Sequence, residues 1–310
     1  MAKHNPFLRK LSDYLYLFLY RSFSWLTKVL PDTFIERFFH TLAKLFATHS
    51  KKHRQIIETN LDLAFSPPLD KTQKEKITIT VFYNLLQVIR GIIQRENISK
   101  ASLLSSVEFK NDSYFSQALS EGKRIVLITG HYSNWELLPL AIASKYNITL
   151  AAVGRKLDSN MMDRILRHNR ERFGVEIIYR KGAMRGMIKA LKESKVVGLL
   201  PDQSLGEKQG GIKVNFFGKP AGHSPAASIL ARSMDAVIIP VFIHTEDYQN
   251  HTVTFHPPIP TLKTEDKEAD IQAMTQAQAD VMQKVITEKP DPWFWVHKRW
   301  KVYLPELYKK

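Results

Sequence analysis

Between residues 124 and 241 the chain alternates short β-branched runs with helical patterns, and this alternation limits its folds more than any other feature. The runs fall at 125–128, 149–153, 175–178, 196–200 and 237–241. Helical periodicity occupies 135–144, 160–173, 184–192 and 225–233 between most of them. Such a rhythm predicts an α/β fold with a mostly parallel sheet flanked by helices. Segment 251–255 alternates polar and apolar residues in the manner of an antiparallel edge strand. A long polar, Gln-rich helix is expected over 265–287, ending at Pro290. There is no internal repeat, low-complexity tract or flexible linker. Residues 31–310 are therefore expected to form a single α/β domain.

The first hundred residues have a different character: helical, aromatic and basic. Tyr14-Leu15-Tyr16-Leu17-Phe18-Leu19-Tyr20 is apolar and aromatic, and Arg21 and Lys28 interrupt its continuation toward Leu30. A spanning helix needs ~20 predominantly apolar residues. Tyr and Trp favour membrane interfaces, and Arg and Lys favour anionic headgroups. Residues 1–30 are thus expected to be a membrane-associating helix, peripheral or single-pass, with a buried core helix as the competing reading. No small-residue cleavage site points to a cleaved signal peptide. Pro31 and Asp32 predict the next helix start, with Asp32 as N-cap and Phe34, Phe38, Leu42 and Leu45 at helical spacing. Lys51-Lys52-His53-Arg54 is a basic cluster: a solvated face by default, or a contact for lipid phosphates. Ser66-Pro67-Pro68 breaks the chain, and 77–93 predicts a further helix with Phe82, Leu85, Leu86 and Ile89 on one face.

Composition narrows the chemistry. The 310 residues include no cysteine, which removes disulfides, Cys-zinc sites and thiolate nucleophiles. Forty-five Lys and Arg against 30 Asp and Glu give a net charge of +15, which calls for an anionic partner: nucleic acid, an acidic membrane face, or acidic substrates and carriers.

In open α/β sheets, sites sit at the carboxyl ends of strands. Two polar groups fall there: His131, after the run at 125–128, and Asp202-Gln203, after the run at 196–200. His131 belongs to Gly130-His131-Tyr132-Ser133-Asn134-Trp135-Glu136. Imidazole titrates near neutrality and a carboxylate can orient it, so His131 and Glu136 are candidates for taking a proton from an alcohol. The same residues fit a capping box, Ser133-x-x-Glu136, ahead of an apolar helix, with His131 a loop residue. From spacing alone the capping box is the commoner arrangement, and the two readings can coexist. No Gly-x-Ser-x-Gly elbow, phosphate-binding Gly-x4-Gly-Lys-[ST], Gly-x-Gly-x-x-Gly or His-Glu-x-x-His motif competes.

The heptapeptide resembles the His-x4-Asp/Glu motif of glycerolipid-type acyltransferases, in the Gly-His-x-x-Asn-Trp-Glu form found in bacterial lipid A late acyltransferases. Further segments agree in order: Gly154-Arg155-Lys156, Arg170-Glu171-Arg172-Phe173-Gly174, Gly186-Met187-Ile188-Lys189-Ala190-Leu191, Leu200-Pro201-Asp202-Gln203, and Phe294-Trp295-Val296-His297-Lys298-Arg299-Trp300-Lys301. The resemblance covers nearly the whole chain. It implies a glycerolipid-acyltransferase-like fold. It also implies transfer of a fatty acyl group from acyl carrier protein, or acyl-CoA, to a hydroxyl of a lipid A precursor in lipopolysaccharide biosynthesis. The implied location is the cytoplasmic face of the inner membrane, with no metal, cofactor or nucleic acid involved. On that resemblance His131 is the general base and Glu136 fixes its tautomer. Arg155, Arg170 and Arg172 bind the anionic acceptor. Asp202 is a salt-bridge partner for one of these arginines, or a supporting residue. Arg164 and Arg167 are better read as a solvated basic face. His297, Lys298 and Arg299, among Trp293, Trp295 and Trp300, suit either chain-end packing or an interfacial patch. His223 and His244 are expected to be structural, and Phe216-Phe217-Gly218 to pack the core sooner than line an acyl channel. The alternatives are an acyltransferase acting on another phospholipid or glycolipid, and a non-catalytic basic membrane-binding protein.

Overall fold

The computed structural model describes the backbone of residues 6–309 and side chains from Leu11 onward, so the first five residues of the expected N-terminal segment lie outside it. Four helices come first: α1 (Pro6–Val29), α2 (Asp32–His49), α3 (Lys51–Ala64) and α4 (Lys71–Gln94). Next along the chain are α5 (Lys100–Leu104), β1 (Val107–Lys110), α6 (Ser113–Ser120), β2 (Arg124–Ile128), α7 (Leu138–Tyr146), β3 (Leu150–Gly154), α8 (Asn160–Glu171), β4 (Val175–Tyr179), α9 (Ala183–Lys192) and β5 (Val196–Leu199). The chain closes with β6 (Ile212–Phe216), β7 (Lys219–His223), α10 (Ala226–Met234), β8 (Ala236–His244), β9 (His251–Phe255) and α11 (Lys267–Glu288). A reciprocal cap fixes the start of α4: the Gln73 amide donates to Asp70 Oδ1 at 2.8 Å and the Asp70 amide to Gln73 Oε1 at 2.9 Å.

The main sheet has the order β1-β9-β8-β2-β5-β3-β4. Strands β8, β2, β5, β3 and β4 run parallel. Strand β9 is antiparallel to β8, as its alternation predicts, but it is not an edge strand, because β1 pairs with it in parallel. Strand β1 is only Val-Glu-Phe-Lys, too short and polar to stand out in the sequence. Alternation along β2 builds both layers. Ile125 and Leu127 join a core with α7, while Val126 and Ile128 join another with α9 and α10. Each layer therefore buries branched side chains at ~25 cal/mol per Å² of apolar surface.

A third core joins α3 and α4 to the β6–β7 hairpin, α11 and the C-terminal segment. Phe217 and Gly218 turn that hairpin with φ of 53° and 70°, the positive pair a tight two-residue hairpin requires. Trp293, Trp295, Trp300 and Arg299 are fully or almost fully buried. The Arg299 guanidinium lies 4.8 Å from the Phe216 ring centroid, donates to the Gly222 carbonyl, and meets His223 Nδ1 at 3.0 Å. The C-terminal aromatic segment is packing, not an interfacial patch.

The N-terminal layer corrects one expectation and orients the helix faces. Asp32 does not cap α2 through its side chain; its carboxylate pairs with Arg90 of α4. The buried face of α2 is Ile35, Phe39, Ala43 and Ala47, and Phe34, Phe38 and Leu45 point outward. They are continuous in character with exposed Tyr14, Leu15, Phe18, Leu19 and Trp25 of α1. The two helices join through Phe23 and Phe39, stacked at 5.6 Å. Helix α4 is the described helix that is long and apolar enough to cross a membrane, yet 56% of its most apolar window is buried within the protein.

Candidate active site

The register of two adjacent strands builds the site. In the parallel β2–β5 pair, Ile128 lies opposite Leu199, and the Thr129 amide donates to the Leu199 carbonyl at 3.0 Å. His131 and Asp202 each stand three residues beyond that matched pair. Two chains leaving the sheet side by side therefore deliver an imidazole and a carboxylate to one point. The His131 loop is also fastened to the C-terminal segment. The Phe294 amide donates to the His131 carbonyl and the Ser133 amide to the Pro292 carbonyl, both at 2.9 Å.

Asp202, not Glu136, holds His131. His131 Nδ1 is 2.8 Å from Asp202 Oδ1, while Asp202 Oδ2 accepts the His131 main-chain N–H at 2.8 Å and Trp293 Nε1–H at 3.0 Å. Both oxygens of this buried carboxylate are thus met by donors. Burial opposes ionisation of Asp202, but the His131 charge and the hydrogen bonds from His131 and Trp293 prevail and hold its pKa far below the usual carboxylate range. For His131, burial is the largest single influence and lowers the pKa; the charge and hydrogen bond of Asp202, with the charge of Glu136, outweigh it and leave the pKa raised. Because the ionised carboxylate accepts from Nδ1–H, the other nitrogen, Nε2, keeps its lone pair. Gln203 Nε2 lies 3.5 Å from it. Trp135 and Phe294 flank the imidazole at ring distances of 5.4 and 5.8 Å and fix its plane.

Glu136 has a different partner. Arg170 of α8 grips its carboxylate in a fork, with Nη2 at 2.8 Å from both oxygens and Nε at 3.2 Å from Oε2. Glu136 acts on His131 through space, by its charge. The capping box does not form. Helix α7 starts at Leu138 without a side-chain cap, and Ser133 takes a left-handed φ of 50°, which is strained for a residue with a Cβ.

His131, Glu136 and Gln203 line a cavity of about 430 Å³ with Arg155, Arg167, Arg170 and Arg180, over apolar walls that include Val153, Leu166 and Ile177. It offers a base, several cations and a greasy surface together. Arg155 sits at its rim, 73% exposed and 3.2 Å from Asp158. Arg170 is engaged by Glu136. Arg172 is elsewhere: it donates to the main-chain carbonyls of Glu96 and, at 3.1 Å, Ile98, and so ties α8 to the segment after α4. The expected pairing of Asp202 with an arginine gives way to its bond with His131, and Arg172 is not among the residues that line the cavity. Sequence reasoning missed Arg180 and Trp293. Arg180 immediately follows the last residue of β4, so the strand-end rule applied to every parallel strand finds it.

Such a cavity has the groups to bind an anionic amphiphile and to take a hydroxyl proton. The chain is 25% identical over 289 residues to the lipid A biosynthesis lauroyltransferase of Escherichia coli, covering 89% of this chain and 88% of that one. It is 24% identical over 249 residues to a lipid A biosynthesis acyltransferase of Haemophilus influenzae, covering 80% and 75%. A phosphatidylinositol mannoside acyltransferase of Mycobacterium tuberculosis is 21% identical over 285 residues, covering 90% and 86%. The bacterial lipid A biosynthesis acyltransferase family matches residues 1–302, nearly the whole chain, and the chain belongs to that family of O-acyltransferases.

Proposed function

We propose that this acyltransferase moves a fatty acyl chain from acyl carrier protein to a hydroxyl of a lipid A precursor, at the cytoplasmic face of the inner membrane. The observation that supports it most is the His131–Asp202 bond, which leaves Nε2 as a base in an arginine-lined, apolar-walled cavity. His131 Nε2 takes the acceptor hydroxyl proton as that oxygen attacks the thioester carbonyl. The C–O bond forms, the C–S bond breaks, and the imidazolium returns the proton to the departing thiolate. Asp202 holds the tautomer and offsets the transient positive charge. A positioned base contributes roughly 10²–10⁴-fold, or ~3–5 kcal/mol.

Arg155, Arg167 and Arg180 would meet acceptor phosphates, since a guanidinium fork matches phosphate oxygens. Glu136 and Arg170 would stiffen the loop that carries the base. The exposed apolar face of α1 and α2 would seat residues 1–30 and their neighbour on the membrane, with residues 31–310 as the catalytic domain. The net charge of +15 suits both an acidic carrier and an anionic lipid. A second reading, acylation of a phosphatidylinositol mannoside or related glycolipid, is favoured by the near full-length similarity to the mycobacterial protein.

Purified protein supplied with labelled acyl carrier protein or acyl-CoA, and with either acceptor, separates these readings. Label in the lipid A precursor is the expected outcome. Label only in the mannoside establishes the second reading, and label in neither overturns both.

A further inference from the structure

We infer that a second cavity, behind the His131 loop, is a binding site for a phosphate group bearing a free hydroxyl: inorganic phosphate or a phosphomonoester headgroup. It encloses about 270 Å³ between α4, the loop 133–137 and the 248–251 segment. It reaches the surface past Asp32 and Gln249, which are both exposed. The proposed acyl transfer does not use this part of the fold.

Its central group is Arg95, just past the end of α4. The residue is only 6% exposed, lines the cavity, and has both Nε and Nη2 without a hydrogen-bond partner. Burial lowers its pKa to about 10, with the charge of Glu136 acting in the opposite direction, so it remains a cation at neutral pH. The other cation here, Arg90, is neutralised by Asp32 and by Glu36 at 4.0 Å. Glu136 is already gripped by Arg170. A buried guanidinium without a paired counter-charge is costly, and a bound anion removes that cost.

The remaining groups select among anions. Asn134 Nδ2 contacts His251 Nε2 at 3.3 Å, and Asn134 Oδ1 is buried without a donor. Burial, and then the Arg95 charge, lower His251 to about 4, so it is neutral and adds no positive charge. A carboxylate has only acceptors and would leave Asn134 Oδ1 unmet. A phosphate with a free hydroxyl supplies acceptors for the Arg95 fork and an O–H for the amide oxygen. Gln87 and Gln94 complete the lining with further donors.

Thermal unfolding of the full chain in detergent tests this, with inorganic phosphate, acetate at equal ionic strength, or phosphatidic acid micelles as probe. Wild type should be stabilised saturably by phosphate or by phosphatidic acid and much less by acetate; which of the two acts identifies the source. Arg95→Met should unfold at or above the wild-type temperature without phosphate, and should bind phosphate at least tenfold more weakly. Gly91→Ala is the second probe: a Cβ there would lie 2.5 Å from Arg95 Nη1, displacing the guanidinium without removing its charge, so phosphate binding should again weaken. A wild type indifferent to phosphate and phosphatidic acid, an acetate response equal to that of phosphate, or an unchanged phosphate response in both variants would overturn the assignment.

Discussion

The loop from His131 to Leu137 separates two polar cavities that treat charge in opposite ways. In front, His131 is paired with Asp202 and Glu136 with Arg170. Behind, Arg95 has no carboxylate partner among the described residues, and two of its nitrogens are unbonded. Paired groups hold each other in place, which suits a base that must present one nitrogen in one direction on every turnover. An unpaired group leaves its bonding capacity for something that arrives. On the proposed reading the front cavity is machinery already assembled, and the rear one is a socket.

The largest expected effect tests the front. His131→Ala should fold and lose about 10²–10⁴-fold in kcat, because it removes the proposed base. Near wild-type turnover in a transfer assay would exclude His131 from that role. Next comes Glu136→Gln, which leaves Arg170 without its counter-charge. Loss of one partner from a fully buried pair costs about 3–5 kcal/mol. Both side chains here are 19% exposed, so a cost of about 1–3 kcal/mol is expected, read as a fall in the urea midpoint. Turnover should fall by about 10–100-fold with it, as the His131 loop loosens. A Glu136→Gln protein of full stability and activity would show that the fork is ornamental.

The effect farthest from the chemistry concerns acid. Burial lowers His223 to about 3, helped by Arg299, and is the main cause lowering His297 to about 4. The unfolded chain takes up these protons near pH 6.5, the folded one not until far lower. Stability should therefore fall as pH drops below about 6.5, by about 1.4 kcal/mol per pH unit for each such histidine. His131, with its raised pKa, works the other way: its contribution is complete below about 6.5 and is lost as pH rises through the folded value. Urea midpoints between pH 7 and 5 should flatten by one histidine's share in His223→Gln, and an unchanged slope would contradict the assignment.

The central sheet was legible in the sequence because its strands are apolar on both faces and bounded by turns. Runs such as Ile125-Val126-Leu127-Ile128 have no other good use. Strand β1 was not, since an edge strand needs only Val107 and Phe109. The facing of α2 was not legible: Phe34, Phe38 and Leu45 have helical spacing but stay exposed, and periodicity cannot say which medium an apolar stripe faces. At the site, His131 and Asp202 were both visible as strand-end residues. Their bond was not, because it depends on β5 lying beside β2 although β3 and β4 come between them in sequence. Glu136 was close to His131 in number, and that proximity was a poor guide to its partner. The buried Arg95 gave no signal, since Gln94-Arg95-Glu96 looks like an ordinary polar helix end.

The bond between Asp202 and His131 is the contact on which the proposed chemistry depends. The pH profile of kcat/KM for acyl transfer, in wild type and Asp202→Asn, tests it most directly. In the proposed mechanism neutral imidazole is the active form, so the wild-type rate should climb with pH and level off, with a midpoint above the ordinary histidine value of about 6.5. In Asp202→Asn the plateau should fall by up to about 10⁴-fold and the midpoint should shift to lower pH, because burial then acts without the opposing charge. A variant with the wild-type midpoint and plateau would contradict the pairing of His131 with Asp202 as the source of its basicity.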